Sequence, residues 1–227
     1  MHPPIGKAFV AFLLLFMPFW LQAQKNPDAP KDPEAKKILD KISRQNKQYP
    51  SIYATFTYRY TNSQTKEDNT NEGVITLKGR KYKLEFMKNE IYCDGTTMWN
   101  YMPDVKEVNI TRAEQSKKDF FLSNPLDLFN IYESDYKYRL LGEFNIDGKT
   151  AYEIDLYPYD LKRPYHRVRL TVDKATLHII GAEVAGKNGE TFEITINKMQ
   201  TDQKFDDSFF VFDPKKHPGV ELIDLRM

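Results

Sequence analysis

From Ile91 to Ile110 the chain reads I-Y-C-D-G-T-T-M-W-N-Y-M-P-D-V-K-E-V-N-I. This stretch predicts three short strands joined by tight turns at Asp94-Gly95 and Pro103-Asp104. Asp-Gly supplies the positive-φ residue that a short hairpin turn needs, and Pro-Asp opens a turn at fixed φ. Turns this short connect only antiparallel neighbours, so the segment commits at least part of the chain to an antiparallel meander.

The same rhythm runs through most of the sequence. Ile52, Ala54, Phe56, Tyr58 and Tyr60 alternate with Tyr53, Thr55, Thr57 and Arg59, and Tyr82, Leu84 and Phe86 alternate with Lys81, Lys83 and Glu85. A polar stretch, Thr61 to Glu72, reads as a connection leading into a strand at Val74–Lys78. Strands are expected at Tyr136–Phe144 and Ala151–Tyr157, hinged at Asp147-Gly148, and then at Arg167–Val172, His178–Val184 and Thr191–Met199. About ten or eleven strands at this spacing predict an antiparallel sandwich or barrel. The tail, with Phe209, Phe210 and Phe212, ends in a turn and an extended segment.

Helices are few. Asp32-Pro33 is an N-cap followed by proline at the first helical position. Ala35, Ile38, Leu39 and Ile42 then form one apolar stripe, and Pro50 closes the helix. Two shorter helices are expected at Arg112–Leu122 and Pro125–Tyr132. Their polar and apolar faces are poorly separated, so they should pack weakly, as a lid would.

Residues 1–23 read as a secretory signal peptide: Lys7, an apolar run from Ala8 to Trp20, and Ala23 at the cleavage point. Residues 24–31 form a proline-rich tether, and residues 32–227 a single domain. No cysteine lies near the cleavage point to take a lipid. The leader carries away Lys7, leaving 32 basic and 32 acidic residues. A balance this even argues against nucleic acid as a partner. The one cysteine, Cys93, precludes an internal disulfide and reads as a small buried apolar residue. The 15 Phe and 14 Tyr exceed what a core of this size needs, which points to an apolar surface with a use.

Catalytic and metal-binding patterns are lacking. His166, His178 and His217 have no ligand-like spacing, and no nucleophile elbow or phosphate loop occurs. The expectation is a protein that is not an enzyme and needs no cofactor or metal. Tyr157-Pro158-Tyr159 and Arg163-Pro164-Tyr165-His166-Arg167 read as a hairpin loop whose aromatics cover one end of the sheet.

Taken in order, four blocks resemble the LolA-like periplasmic lipoprotein carriers. These are the helix to Gln48 leading into Ile52-Tyr53-Ala54-Thr55-Phe56, Asp94-Gly95-Thr96-Thr97-Met98-Trp99-Asn100-Tyr101 through Val108, Asn124-Pro125-Leu126-Asp127-Leu128, and Phe210-Val211-Phe212-Asp213-Pro214 through Pro218-Gly219-Val220. The resemblance implies an unclosed antiparallel β half-barrel of about eleven strands covered by short helices. It implies a monomeric periplasmic carrier that shields acyl chains of lipoproteins in an apolar cavity. Such a carrier takes cargo from an inner-membrane ABC lipoprotein-release transporter and passes it to an outer-membrane acceptor. The acceptor LolB needs a lipidated cysteine that is missing here, and the regulator RseB needs a second domain. A lipid-sensing module or a small enzyme on the same half-barrel is the other reading.

The cavity residues implied are Phe56, Tyr58, Ile75, Leu77, Tyr82, Leu84, Phe86 and Trp99, with Leu126 and Phe129 from the lid. The family latches its lid with an arginine, usually followed by proline, near the end of its second strand. Here that stretch is Leu77-Lys78-Gly79-Arg80-Lys81, so Arg80 or Lys78 is the latch implied, without the proline.

Overall fold

The structure, a computed structural model, describes residues 32–114 and 136–226. Helix α1 (Pro33–Gln48) begins as the sequence predicts. Asp32 Oδ1 accepts from the backbone N–H groups of Glu34 (2.9 Å) and Ala35 (3.3 Å). Its Oδ2 accepts from the Leu140 N–H at 3.1 Å, so one side chain caps the helix and ties it to the sheet. Ala35, Leu39 and Ile42 are buried beneath the helix, and Ile38 packs at its margin.

Twelve strands follow: β1 (Ile52–Asn62), β2 (Glu67–Lys78), β3 (Lys81–Phe86), β4 (Asn89–Cys93), β5 (Thr97–Met102), β6 (Glu107–Arg112), β7 (Tyr136–Ile146), β8 (Lys149–Pro158), β9 (Tyr165–Asp173), β10 (Ile179–Gly186), β11 (Glu190–Thr201) and β12 (Glu221–Asp224). They form one sheet in the order β12-β6-β5-β4-β3-β2-β1-β11-β10-β9-β8-β7. Two meanders, β1–β6 and β7–β11, thus stand side by side. They join where β1 pairs with β11, from Ile52 opposite Thr201 to Asn62 opposite Glu190. Every pairing is antiparallel except that of β12, which lies parallel to β6. β7 and β12 are the outer edges, and among the described residues no pairing closes the sheet. This is the unclosed half-barrel expected, with twelve strands rather than eleven.

The signature segment folds as β4, β5 and β6. Asp94 Oδ1 accepts from the N–H groups of Thr96 (2.8 Å) and Thr97 (2.7 Å), while Gly95 takes φ 97°. The Asp147-Gly148 hairpin has positive φ at both residues, 50° and 79°, as a two-residue turn of that hand requires. The stretch Thr61–Glu72 differs from expectation. Only residues 63–66 form a turn, because β1 runs on to Asn62 and β2 starts at Glu67, paired Asn62 to Glu67 and Thr57 to Glu72. These residues are polar toward both faces, so no apolar alternation marks them as strand. Of the two short helices expected, Arg112 instead ends β6, and residues 115–135, with Leu126 and Phe129, lie outside the described residues.

Alternation gives the sheet two unlike faces. One collects the main core: Ile52, Ala54, Phe56 and Tyr58 of β1, Ile75 and Leu77 of β2, Tyr82 and Leu84 of β3, Cys93 of β4, and the inward residues of β7–β11. Helix α1 lies on this face. The opposite face carries a second, smaller core of Tyr92, Tyr101, Val108, Ile110 and Phe212, with Trp99 and Val220 against it. The C-terminal segment forms its lid through two single-turn 3₁₀ helices, Asp207–Phe210 and Pro214–Lys216.

Candidate functional site on the apolar face

The pairing of β3, β2, β1 and β11 stacks a row of rings across the apolar face. Phe56 and Phe86 have centroids 5.7 Å apart, Tyr58 and Phe86 5.2 Å, Tyr58 and Phe192 6.4 Å, and Tyr60 and Phe192 5.3 Å. These tilted and edge-on contacts suit aromatic quadrupoles. Gly73, opposite Phe56 in β2, makes room for the row. A Cβ there would lie 2.3 Å from Phe56 Cζ. The Tyr58 hydroxyl has its pKa pushed up to about 12 by burial first, then by the neighbouring Tyr60 and Glu190 charges. Cys93 is buried as expected, and burial pushes its thiol pKa up. Chemically, this face offers apolar and aromatic surface with uncharged polar tips.

Its breadth is the notable quantity. Nine strands, β1–β4 and β7–β11, contribute buried apolar residues to it. At roughly 4.8 Å per strand that is about 40 Å of sheet, whereas a helix with its side chains is about 10 Å across. Helix α1 alone covers only a minor part.

Of the residues singled out from the sequence, Phe56, Tyr58, Ile75, Leu77, Tyr82, Leu84 and Phe86 come together on this face. Trp99 does not. It pairs with Tyr92 and Ile110 and lies with the second core, because hairpin register puts Met98 and Trp99 on opposite faces. Lys78 also points away from the apolar face. Its ammonium donates to the Phe205 carbonyl (2.7 Å) and to Asp207 (2.9 Å), and Lys81 joins Asp207 at 2.6 Å. Lys78 thus fastens the C-terminal segment. Arg80 is exposed in the β2–β3 turn, its Cβ 3.4 Å from where a Cβ on Gly95 would lie.

Sequence reasoning draws its candidates from the first meander and misses the second. Ile154, Leu156, Val168, Leu170, Val184 and Ile194 belong to the same continuous face, and their period-2 alternation is the signal available. It also misses a polar cluster at the end of β7–β9. The Tyr136 and Tyr165 hydroxyls lie 2.5 Å apart, and Arg163 Nη1 donates to both, at 2.9 and 2.7 Å. The guanidinium also lies over the Tyr136 ring, 5.2 Å from its centroid. Both tyrosines are buried, but of the loop aromatics expected to cover an end of the sheet only Tyr165 is enclosed, since Tyr157 and Tyr159 are 38% and 49% exposed.

Elsewhere the structure holds several polar clusters. An open groove of about 600 Å³ at the β5–β6–β12 edge is lined by Thr96, Thr97, Arg112, Asp224 and Arg226, with Arg226 paired to Asp224. On the face opposite the apolar one, Arg169 grips Asp155 through two bonds of 2.8 and 3.1 Å. Tyr157 donates to the same carboxylate at 3.0 Å, and Arg167 pairs with Glu183. Among the described residues, no helix is long and apolar enough to cross a membrane.

Solved structures resemble this fold. An uncharacterised conserved protein from Thermus thermophilus superposes with a TM-score of 0.57 at 14% identity, over 84% of this chain and 99% of its own. A LolA superfamily protein from Nitrosomonas europaea gives 0.43 at 18% identity, over 78% of this chain and 97% of its own. The lipoprotein LppX from Mycobacterium tuberculosis gives 0.47 at 12% identity, over 78% of this chain and 100% of its own. The Thermus protein shares the fold, while the other two superpositions are too loose to argue from. No curated protein matches the chain. A family profile described as "Uncharacterized protein" matches residues 78–202, more than half of the sequence, and the chain belongs to that family.

Proposed function

We propose that this protein is a periplasmic carrier of acylated lipoproteins, holding their acyl chains against the apolar face of the half-barrel. The observation that carries this reading is the breadth of that face, a nine-strand apolar surface with an aromatic row and, among the described residues, one helix across it. Burying an acyl chain is worth about 0.8 kcal/mol per CH₂, so a lipoprotein leaves a membrane only if something replaces the bilayer. Rings and branched aliphatics without charged anchors hold chains by area alone and can release them. The role proposed is non-catalytic and needs no cofactor. Cargo would come from an inner-membrane ABC lipoprotein-release transporter and go to an outer-membrane acceptor, with the carrier acting as a monomer.

The test is displacement. The protein should enhance the fluorescence of an apolar dye, and a diacylated lipopeptide should displace it while the unacylated peptide does not. Phe86→Ser and Phe192→Ser, both at half-buried positions of the aromatic row, should each weaken lipopeptide binding roughly tenfold, the scale of about 1.5–3 kcal/mol for a buried aromatic. A protein that fails to bind the dye, or releases it equally to either peptide, is not such a carrier.

A further inference from the structure

The strands end on two rims, and the rims differ. One rim carries the turns at 63–66, 87–88, 103–106, 159–164 and 187–189; the other carries those at 79–80, 94–96, 147–148 and 174–178, and the exit from β11 at 202–206. On the first rim three turns hold a large apolar side chain out in solvent: Met87 is 55% exposed, Val105 59% and Leu161 81%. Tyr159 stands beside Leu161 at 49%. A lysine follows each tip directly, as Met87-Lys88, Val105-Lys106 and Leu161-Lys162. The turns of this rim contain six basic and two acidic residues, those of the other three basic and four acidic. The other rim has one exposed large hydrophobic, Leu225 at 48% just past the end of β12, and none in its turns between strands. Neighbouring tips are tied together, by Lys88 to Asp104 at 3.5 Å and by Lys187 to the Leu161 carbonyl.

We infer that this rim docks on a bilayer surface bearing anionic lipid. Turn tips favour small polar residues, so a repeated apolar-lysine pair at separate turns calls for a partner that accepts both. The apolar tips are spread along a rim and form no groove, which suits a broad, deformable surface better than a peptide. Shallow insertion of the tips, with lysines at headgroup level, matches how interfacial segments bind. This inference stands apart from the carrier reading, since it concerns the turns and not the apolar face.

The experiment is vesicle co-sedimentation with the chain purified as cells export it, its N-terminus fixed by mass spectrometry. Phosphatidylcholine vesicles are compared with and without phosphatidylglycerol. The parent should partition onto the anionic vesicles, and less so as salt rises. Lys88→Gln, Lys106→Gln and Lys162→Gln should each cost roughly fivefold in partitioning, the factor equal to about 1 kcal/mol per basic residue near an anionic surface. Leu161→Ser should cost roughly tenfold. Arg80→Gln with Lys174→Gln, on the other rim, should change nothing, and thermal unfolding should confirm that every variant folds. Absence of binding, equal binding by all variants, or tips that govern only self-association would overturn the inference.

Discussion

The two faces of the sheet use the same strands and the same alternation, yet they resolve their burial in opposite ways. The face bearing Tyr92, Tyr101 and Val108 is sealed by the chain itself. Phe212 packs edge-on to Tyr92 with centroids 5.8 Å apart, and His217 stacks on Phe212 at 4.7 Å. Farther along, beyond the reach of this tail, ion pairs such as Arg169–Asp155 fill the positions. The residues of the apolar face are buried as well, at 0–6% exposure, and helix α1 is the one described α-helix across its nine strands. A small apolar patch closed by its own tail thus differs in scale from a nine-strand one that, among the described residues, a single helix crosses.

This contrast can be broken at its closed side first. Phe212→Ala should remove the tail's anchor and cost about 3–5 kcal/mol, read as a lower unfolding midpoint and early proteolysis after Phe205, while dye binding to the apolar face persists. Loss of dye binding alongside would mean that the faces are not independent. Asp155→Ala leaves the half-buried Arg169 without its bidentate partner and should cost about 2 kcal/mol in denaturant unfolding, between the values for exposed and buried pairs. The smallest effect belongs to Asp207, whose carboxyl is held down to about 2, first by the Lys81 hydrogen bond and then by that of Lys78. A depressed carboxyl stabilises above its ordinary pKa of about 3.9 and loses that contribution as pH falls toward 2. Tail protection should therefore weaken slightly across that window, and Asp207→Asn should abolish the pH dependence without changing dye binding.

Much of the fold is legible in the sequence because antiparallel neighbours announce themselves locally. Asp94-Gly95, Asp147-Gly148 and the alternating residues of β1 and β3 fix turns and faces within a few positions. The helix start at Asp32 is readable for the same reason. What the residues do not reveal depends on partners far along the chain. The polar half of β2 is strand only because β1 extends beside it. The resemblance offers Lys78 as a latch for the lid, but its partners, Phe205 and Asp207, lie 127 and 129 residues away. Trp99 suits an apolar cavity by residue type, and one step of pleat puts it on the other face.

The four-residue strand β12 has a role that its size conceals. It lies along β6 from Glu107 to Ile110, the strand that would otherwise end the sheet with open amides and carbonyls. The other boundary, β7, protects itself with a bulge at Leu140–Gly142 and the charges of Lys137, Arg139 and Glu143. β6 has its charges, Glu107 and Arg112, only at its two ends, with Val108, Asn109, Ile110 and Thr111 between them and no bulge in its pairing to turn a second molecule away. Strand β12 therefore acts as a built-in blocking peptide. A molecule trimmed before Glu221 would offer a template for intermolecular pairing, and its fate would be set by concentration instead of stability.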